Sequence, residues 1–188
     1  MCIGGTTMNV CVYGAASQQI QEDYKKAAQE LGSLMGKAGL GLVFGGGATG
    51  LMGACARGME KVGGRIIGVA PHFFDEEGVL FPRCTEMIFT DTMRQRKEKM
   101  ELLSEAFVMT PGGIGTMEEF FEILTLKQLG RTQKPIAILN TMGYYDSLKG
   151  LLEHSVAHGF LEPGGLELFQ MYNDPQELVE GLCRELGL

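Results

Sequence analysis

Residues 106–119 read AFVMTPGGIGTMEE, and they are the most informative segment of the chain for its fold class. The apolar run Ala106–Met109 has the length and composition of a buried strand. Residues 110–113 read as a turn rich in proline and glycine, and apolar residues at helical spacing follow it. A buried strand that runs through a glycine turn into a helix is the repeating unit of proteins with a parallel sheet.

The same alternation of strand and helix continues along the chain. We predict strands at Asn9–Tyr13, Leu42–Phe44, Ile66–Ala70, Glu86–Phe89, Ala106–Met109, Ile136–Leu139 and Leu168–Tyr172. Helical spacing follows at Ile20–Ala38, Met52–Val62, Met93–Ser104, Met117–Leu124 and Tyr144–His158, and Asp174-Pro175 opens a last helix. Ser17 is the predicted N-cap of the first helix, and residues 72–83 are predicted to be a long loop. This order predicts an α/β fold, Rossmann-like and doubly wound, with a mostly parallel sheet flanked by helices.

Composition restricts the class of protein. The chain has 188 residues, 45% of them hydrophobic and 21% charged, which predicts a single globular domain over residues 1–188 and excludes general disorder. The net charge of −7 argues against a nucleic-acid partner, because phosphate neutralisation needs surplus positive charge. No apolar stretch approaches the roughly 20 residues that span a bilayer, so no membrane partner is expected.

Cysteine usage and the N-terminus predict a cytoplasmic location. The five cysteines are widely spaced and form no C-x-x-C pair, so we expect reduced thiols and no zinc site. Residues 1–7 lack the basic start and the apolar run of a signal peptide. His154 and His158 have metal-ligand spacing, but without a third ligand nearby we favour a surface role for them.

Eight of the 28 glycines lie in three turns that follow predicted strands, at residues 14–17, 45–50 and 111–116. In doubly wound folds ligands bind beyond the carboxyl ends of the strands. A glycine turn before a helix allows close approach of a ligand and exposes amides that bind phosphate. Residues 45–50 match G-x-G-x-x-G, but no acidic residue ends a strand at the distance that NAD binding requires. Tight packing alone explains this second turn equally well.

The third turn carries more specific chemistry. Thr116 can cap the helix or contact a ligand, and we place Glu118 and Glu119 in the first helical turn. Carboxylates there can simply compensate the helix dipole. Alternatively, the amides anchor the phosphate of a phosphorylated sugar while a carboxylate addresses the ribose.

A basic cluster precedes the third turn and contains Arg94, Arg96, Lys97 and Lys99. Such a cluster can be a solvated helix face. Arg96, however, lies three residues from Met93 and four from Met100, so it shares a face with apolar side chains. An arginine in that position can clamp a phosphate or stabilise a transition state through two hydrogen bonds.

These motifs resemble those of the Lonely Guy (LOG) family. Residues 93–97 (MRQRK) and 111–119 (PGGIGTMEE) are similar to its paired R-K and P-G-G-x-G-T-x-x-E signature, and residues 45–53 to a second glycine turn of that family. The resemblance extends from about Asn9 to Arg131. It departs at Arg94, where the plant-type signature has histidine, and at the loop from His72, which lacks an acidic residue at its start.

The resemblance implies a phosphoribohydrolase, that is, a hydrolase that cleaves the N-glycosidic bond of N6-modified adenosine 5'-monophosphates to free base and ribose 5-phosphate. It implies Arg96 and Glu119 as the catalytic pair. It also implies a homodimer with sites near the subunit interface, and no metal or cofactor is needed. The predicted substrate-binding residues are Gly46, Gly47, Lys97, Gly112, Gly113, Ile114, Gly115, Thr116, Met117, Glu118 and Thr125.

Two other functions remain open from the sequence. The first is a nucleosidase that acts on ordinary AMP or on nucleoside monophosphates in general. The second is a non-catalytic carrier of a nucleotide or of molybdopterin, because a carboxylate can also merely hydrogen-bond a ribose.

Overall fold

A computed structural model describes residues 8–188, so the prediction for residues 1–7 lies outside the described residues. The strands are β1 (Asn9–Tyr13), β2 (Gly41–Phe44), β3 (Ile66–Pro71), β4 (Glu86–Thr90), β5 (Ala106–Met109), β6 (Ile136–Leu139) and β7 (Gln170–Tyr172). The helices are α1 (Glu22–Lys37), α2 (Gly50–Lys61), α3 (Met93–Leu102), α4 (Ile114–Gln128), α5 (Asp146–Ala157) and α6 (Pro175–Leu186). The predicted strands are all present, each within two residues of its predicted bounds.

The seven strands form one sheet in the order β4-β3-β2-β1-β5-β6-β7, and every neighbouring pair is parallel. The predicted α/β, doubly wound fold is confirmed. The chain first builds outward from β1 to β4 and then returns to the other side of β1 with β5. This reversal between β1 and β5 is the switch point at which such folds bind ligands.

Two apolar cores cover the two faces of the sheet. The first face packs against α1, α2 and α6, with Leu31, Met59 and Leu178 among its buried side chains. The second packs against α3, α4 and α5, with Met100 and Phe120 among its buried side chains. Helices on both faces explain why the strands read as continuous apolar runs instead of alternating. No described helix is long and apolar enough to cross a membrane.

Helix ends depart from the prediction in two places. Helix α1 begins at Glu22 and not near Ile20, so Ser17 is not its N-cap; its hydroxyl accepts a hydrogen bond from the amide of Gln19 instead. Helix α4 already begins at Ile114, within the glycine turn, so Glu118 and Glu119 lie in its second turn and not in the first. The Asp174 cap of α6 is confirmed: its carboxylate accepts from the amides of Gln176 and Glu177.

Candidate functional site

A cleft of about 370 Å³ lies at the switch point, beyond the ends of β1 and β5. Its volume is within the range of roughly 300–1,000 Å³ that is usual for small-molecule sites. We call it the strand-end cleft and define it by its lining residues: Gly14, Ala15, Ala16, Ser17, Met52, Phe74, Met93, Arg96, Gly113, Gly115, Thr116 and Glu119. The fold therefore brings Arg96 and Glu119 together with the start of α4.

Arg96 and Glu119 form the polar pair of this cleft. Nη1 of Arg96 donates to Oε1 of Glu119 at 2.6 Å, and Nε of Arg96 donates to the carbonyl of Val69 at 3.2 Å. The two side chains are only 8% and 12% exposed. A charge-assisted hydrogen bond with so little solvent around it is stronger than a surface pair. The arginine is thus anchored on β3 and presents its guanidinium to the carboxylate.

Burial sets the protonation behaviour of Glu119. Loss of solvent raises the pKa of its carboxyl above the ordinary value, although the charge and the hydrogen bond of Arg96 oppose this rise. Desolvation is the larger effect because the carboxylate lies between α3 and α4. A raised pKa on a carboxyl at a cleft, next to a specific charged partner, is typical of functional sites.

The buried position of Arg96 depends on Gly45. A Cβ atom at residue 45 would lie 2.1 Å from Nη2 of Arg96, a distance that van der Waals repulsion forbids. Glycine at this position is therefore what lets the guanidinium pack against the end of β2. This contact gives the second glycine turn a role at the site that its G-x-G-x-x-G pattern does not reveal.

The N-terminus of α4 opens onto the cleft without a side-chain cap. Its N-cap residue is Gly113, and the first amide bonded within the helix is that of Met117, which donates to the carbonyl of Gly113. The amides at positions 114–116 precede that first bond and need other acceptors. By contrast, α3 begins with a capping box at Thr92 and α6 with the carboxylate of Asp174. The open end of α4 can bind an anion.

The N-terminus of α2, which follows the second glycine turn, is closed. The amides of Leu51 and Met52 donate to the carbonyl of Ala15 at 2.8 and 3.4 Å. The turn itself pairs with residues 79–81: the carbonyl of Gly46 accepts from Phe81, and Gly47 bridges Leu80. Gly46 and Gly47 are not among the described residues that line the strand-end cleft.

Lys97 lies beside the Arg96–Glu119 pair and is not among the residues that line the strand-end cleft. Its ammonium group contacts Glu118 at 2.5 Å and Glu122 at 2.6 Å, which ties α3 to α4. These two carboxylates raise the pKa of Lys97. Lys97 and Glu119 also line a second cavity of about 260 Å³ between the two helices, with Tyr13 and Ile123. Glu119 thus separates this second cavity from the strand-end cleft.

The other predicted substrate contacts occupy different surroundings. Thr116 is buried and lines the strand-end cleft. Gly112 does not line that cleft but lines a separate cavity on the other side of the turn. Ile114 is 89% exposed beside the cleft, while Met117 packs against the core of the second sheet face. Thr125 is exposed on α4, and its hydroxyl donates to the carbonyl of Phe121.

Sequence reasoning missed several residues of the cleft. Phe74 stands in a short 3-10 helix within the segment predicted as a loop, where no periodicity marks it. Met52 shows helical spacing in the sequence, and its exposure to the cleft follows only from the position of α2. The sequence does identify residues 14–17 as a glycine turn after a strand, but none of these residues is predicted to belong to the site.

The chain was compared with known protein families and proteins. Residues 52–182 match a family described as possible lysine decarboxylases. A rice protein (Oryza sativa subsp. japonica) named "Probable cytokinin riboside 5'-monophosphate phosphoribohydrolase" is 39% identical over 92% of this chain and 76% of its own. A cytokinin riboside 5'-monophosphate phosphoribohydrolase of Arabidopsis thaliana is 35% identical over 92% of this chain and 80% of its own.

Solved structures share the fold at lower identity. The molybdenum cofactor binding protein of Rippkaea orientalis superposes with a TM-score of 0.74 at 21% identity, covering 97% of this chain and 99% of the other. The molybdenum cofactor carrier protein of Chlamydomonas reinhardtii gives 0.73 at 22% identity, with the same coverage. These similarities show the fold alone. The family match and the plant relatives show more: the chain belongs to the family described as possible lysine decarboxylases, the LOG family.

Proposed function

We propose that this protein hydrolyses the N-glycosidic bond of N6-modified adenosine 5'-monophosphates, which releases the free base and ribose 5-phosphate. The observation that carries the proposal is the arrangement of the strand-end cleft. An uncapped helix N-terminus lies at one place in its wall, and the buried Arg96–Glu119 pair lies further along the same helix. The names of the plant relatives support the same reaction.

The 5'-phosphate is assigned to the start of α4. The amides at positions 114–116 are donors without a helical acceptor, and the positive end of the helix dipole adds to their attraction for an anion. Gly113 and Gly115 keep side chains away from this surface, since a Cβ at either position would meet no atom within 4 Å and would project into open space. Thr116 completes the wall of the cleft at this end.

The ribose is assigned to the space beside Glu119. Glu119 lies five positions after Ile114 in α4, so the two residues are about 7.5 Å apart along the helix axis. A phosphate bound at the helix start therefore places the sugar of its nucleotide alongside this carboxylate. Effective catalysis needs such a fixed distance between the binding group and the reacting bond.

The chemistry of the pair suits glycosidic cleavage. Departure of the base leaves positive charge on C1' and the ring oxygen, and a nearby carboxylate stabilises that oxocarbenium-like transition state. Glu119 supplies the negative charge in its ionised form. Arg96 holds one carboxylate oxygen, Oε1, so the other oxygen is available to the sugar or to the attacking water. In this role Arg96 positions Glu119.

Apolar side chains support a modified base as the leaving group. Met52, Phe74 and Met93 line the strand-end cleft together with the polar pair. Methionine and phenylalanine make favourable contacts with a purine ring and with an apolar substituent on it. Their presence favours an N6-alkylated adenine over a more polar base.

We also propose that the protein works as a homodimer in the cytoplasm. A stripe of exposed residues along α4 and at its C-cap supports the dimer: Phe121, Thr125 and Leu129 follow each other at four-residue spacing, and the two apolar members are 36% and 66% exposed. Within one copy Thr125 does not reach the cleft, so a substrate contact by Thr125 would need a second copy. Equilibrium sedimentation of the protein and of a Leu129→Glu variant tests this assembly.

The decisive experiment measures products from matched substrates. Purified protein is incubated with N6-isopentenyladenosine 5'-monophosphate, with AMP and with the two corresponding nucleosides, and free base and ribose 5-phosphate are quantified. We expect cleavage of the modified monophosphate and little cleavage of the nucleosides. Equal turnover of AMP would instead indicate a general nucleosidase. Tight binding without any release of base would contradict an enzymatic function.

A further inference from the structure

Two consecutive tyrosines reach the third glycine turn from behind, on the side away from the strand-end cleft. The hydroxyl of Tyr144 donates to the carbonyl of Gly112 at 2.9 Å, and the hydroxyl of Tyr145 donates to the carbonyl of Thr110 at 2.9 Å. The carbonyl between them, that of Pro111, accepts from the amide of Ala15 at 3.3 Å. Each carbonyl of residues 110–112 is therefore held by a donor outside the turn.

This arrangement determines which backbone groups face the cleft. In a trans peptide the carbonyl of one residue and the amide N–H of the next point in opposite directions. The carbonyl of Gly112 points toward Tyr144, so the amide of Gly113 points away from Tyr144. Gly113 lines both the cleft and the small cavity behind the turn, whereas Gly112 and Tyr144 line only the cavity. The hydrogen bond from Tyr144 thus directs an N–H donor toward the cleft and removes a carbonyl lone pair from it.

The segment that carries both tyrosines is itself firmly held. Met142 adopts a left-handed backbone conformation with φ of 55°, which is unusual for a residue other than glycine. Such a conformation persists only where the surrounding structure enforces it. The side chain of Asn140 accepts from the amide of Tyr145 at 2.7 Å and donates to Asp146 at 2.8 Å and to Asn173 at 3.1 Å. A braced segment can hold the hydroxyl of Tyr144 at a constant position relative to the turn.

The two tyrosines differ in exposure, so the effect of losing the Tyr144 hydroxyl can be measured without disturbing the core. Tyr145 is fully buried in the core of the second sheet face, so its removal would disturb the fold. Tyr144 is 42% exposed, and its ring packs edge-on against Tyr24 and Tyr145. A change confined to the hydroxyl of Tyr144 would leave these ring contacts in place.

We propose that Tyr144 is a positioning residue for phosphate binding, because its hydroxyl holds the Gly112 carbonyl so that the amide of Gly113 faces the 5'-phosphate at the start of α4. The proposal rests on the proposed function, since it takes the start of α4 as the phosphate site. Its effect is confined to the phosphate end of the substrate, about 7.5 Å along α4 from Glu119.

The test is Tyr144→Phe, with Tyr24→Phe as the matched control. Tyr24 lines the same small cavity and contacts the ring of Tyr144, but within residues 8–188 its hydroxyl makes no hydrogen bond to the turn. For Tyr144→Phe we expect KM for the nucleoside monophosphate to rise about fivefold, which is the effect of one lost hydrogen bond, with kcat within about twofold of wild type. The inhibition constant of ribose 5-phosphate should rise by the same factor, while that of ribose should stay unchanged.

The outcomes distinguish this inference from the proposed function. If wild-type protein cleaves the nucleotide and Tyr144→Phe has the same KM and the same inhibition constant for ribose 5-phosphate, Tyr144 does not position the turn. An equal weakening of ribose and ribose 5-phosphate would also reject the inference, because it would indicate a general structural effect. If the wild-type protein itself neither cleaves nucleotides nor binds ribose 5-phosphate, the proposed function fails and this inference fails with it.

Discussion

The glycine turns at residues 45–50 and 111–116 each follow a buried strand and precede a helix, yet their backbone groups have different partners. At the second turn, the N-terminal amides of α2 donate to the carbonyl of Ala15, and the turn pairs with residues 79–81. At the third turn, the carbonyls are held from outside and the first amides of α4 face a cleft. Of these two turns, the third is the one whose helix amides face a cleft without partners among the described residues, as an anion site requires.

The comparison also separates two uses of glycine. Gly50 has φ of +61°, and a Cβ there would lie 2.3 Å from the carbonyl oxygen of Ala15, so glycine serves the contact between two turns. At Gly113 and Gly115 a Cβ would meet no neighbouring atom, so packing within the chain does not require glycine. The space beside these two glycines is open to the proposed phosphate, whereas packing does require glycine at Gly112, where a Cβ would lie 2.2 Å from Oγ1 of Thr116.

The largest expected effect is on the rate of catalysis and concerns Glu119, the acidic residue that follows the third turn and has no counterpart after the second. Glu119→Gln removes the charge that stabilises the transition state, and we expect kcat to fall about 10³-fold. Release of base from the nucleotide substrate measures this loss, and circular dichroism checks the fold. Glu122→Gln on the same helix is the matched control and should retain most activity. A Glu119→Gln enzyme with a rate near wild type would remove Glu119 from the mechanism.

A second prediction closes the open turn deliberately. Gly113 has the extended backbone conformation of an N-cap and free space for a side chain. Gly113→Asp should therefore cap α4 and raise the free energy of unfolding by roughly a few tenths of a kcal/mol. The same carboxylate would occupy and repel the phosphate site, so kcat/KM should fall about 100-fold.

Denaturant unfolding and steady-state kinetics of Gly113→Asp are compared with those of Gly113→Ala. The alanine variant adds the Cβ without the carboxylate, so it should lose stability because alanine is a poor N-cap, and its kcat/KM should fall much less than that of Gly113→Asp. If Gly113→Asp kept normal kinetics while it gained stability, the phosphate would have to bind elsewhere.

The third prediction tests the closed turn. Gly50→Ala forces a side chain into a left-handed conformation and against the carbonyl of Ala15, and we expect a loss of about 3 kcal/mol in the free energy of unfolding. Gly150→Ala on α5, where a Cβ meets no atom within 4 Å, is the control and should not lose stability. A normal melting temperature for Gly50→Ala would show that the two turns do not pack as described.

The smallest effect is a displacement of the pH profile. Glu119 must be ionised to act, and burial raises its pKa, so acidification should remove its charge at a higher pH than for an ordinary glutamate. The acid limb of kcat/KM, which reports the free enzyme, should therefore lie above the usual range of glutamate. An acid limb at or below that range would mean that the attraction of Arg96 outweighs desolvation.

The sequence predicted the elements of the fold better than their ends. Runs such as Ala106–Met109 and Ile136–Leu139 match the strands at both bounds, because apolar composition and length are local properties. The start of α4 was placed too late, because residues 114–116 read as turn residues while the structure forms the first turn of the helix from them. Ser17 was wrongly predicted as a cap because it is the only serine, threonine, asparagine or aspartate between β1 and α1, whereas the helix begins after Gln21, whose side chain makes no capping hydrogen bond.

The sequence predicted individual residues of the candidate site but not the contacts that hold them in place. The motif identified Arg96 and Glu119, and the shared face of Arg96 with Met93 and Met100 indicated burial. Gly45 and Tyr144 were missed because each acts through a contact between segments that are more than 30 residues apart. No spacing rule along the chain covers such contacts.

Local sequence is enough to establish the alternation of strands and helices, the doubly wound class and the turn to which we assign the phosphate. These follow from periodicity, from glycine content and from a motif within a few residues, all of which are short-range properties. Only the tertiary structure decided which amides remain free, which carbonyls are held from behind and how Arg96 reaches Glu119. Hydrogen-bond donors find their acceptors in space, so the difference between the closed and the open turn arises only when distant strands are packed side by side.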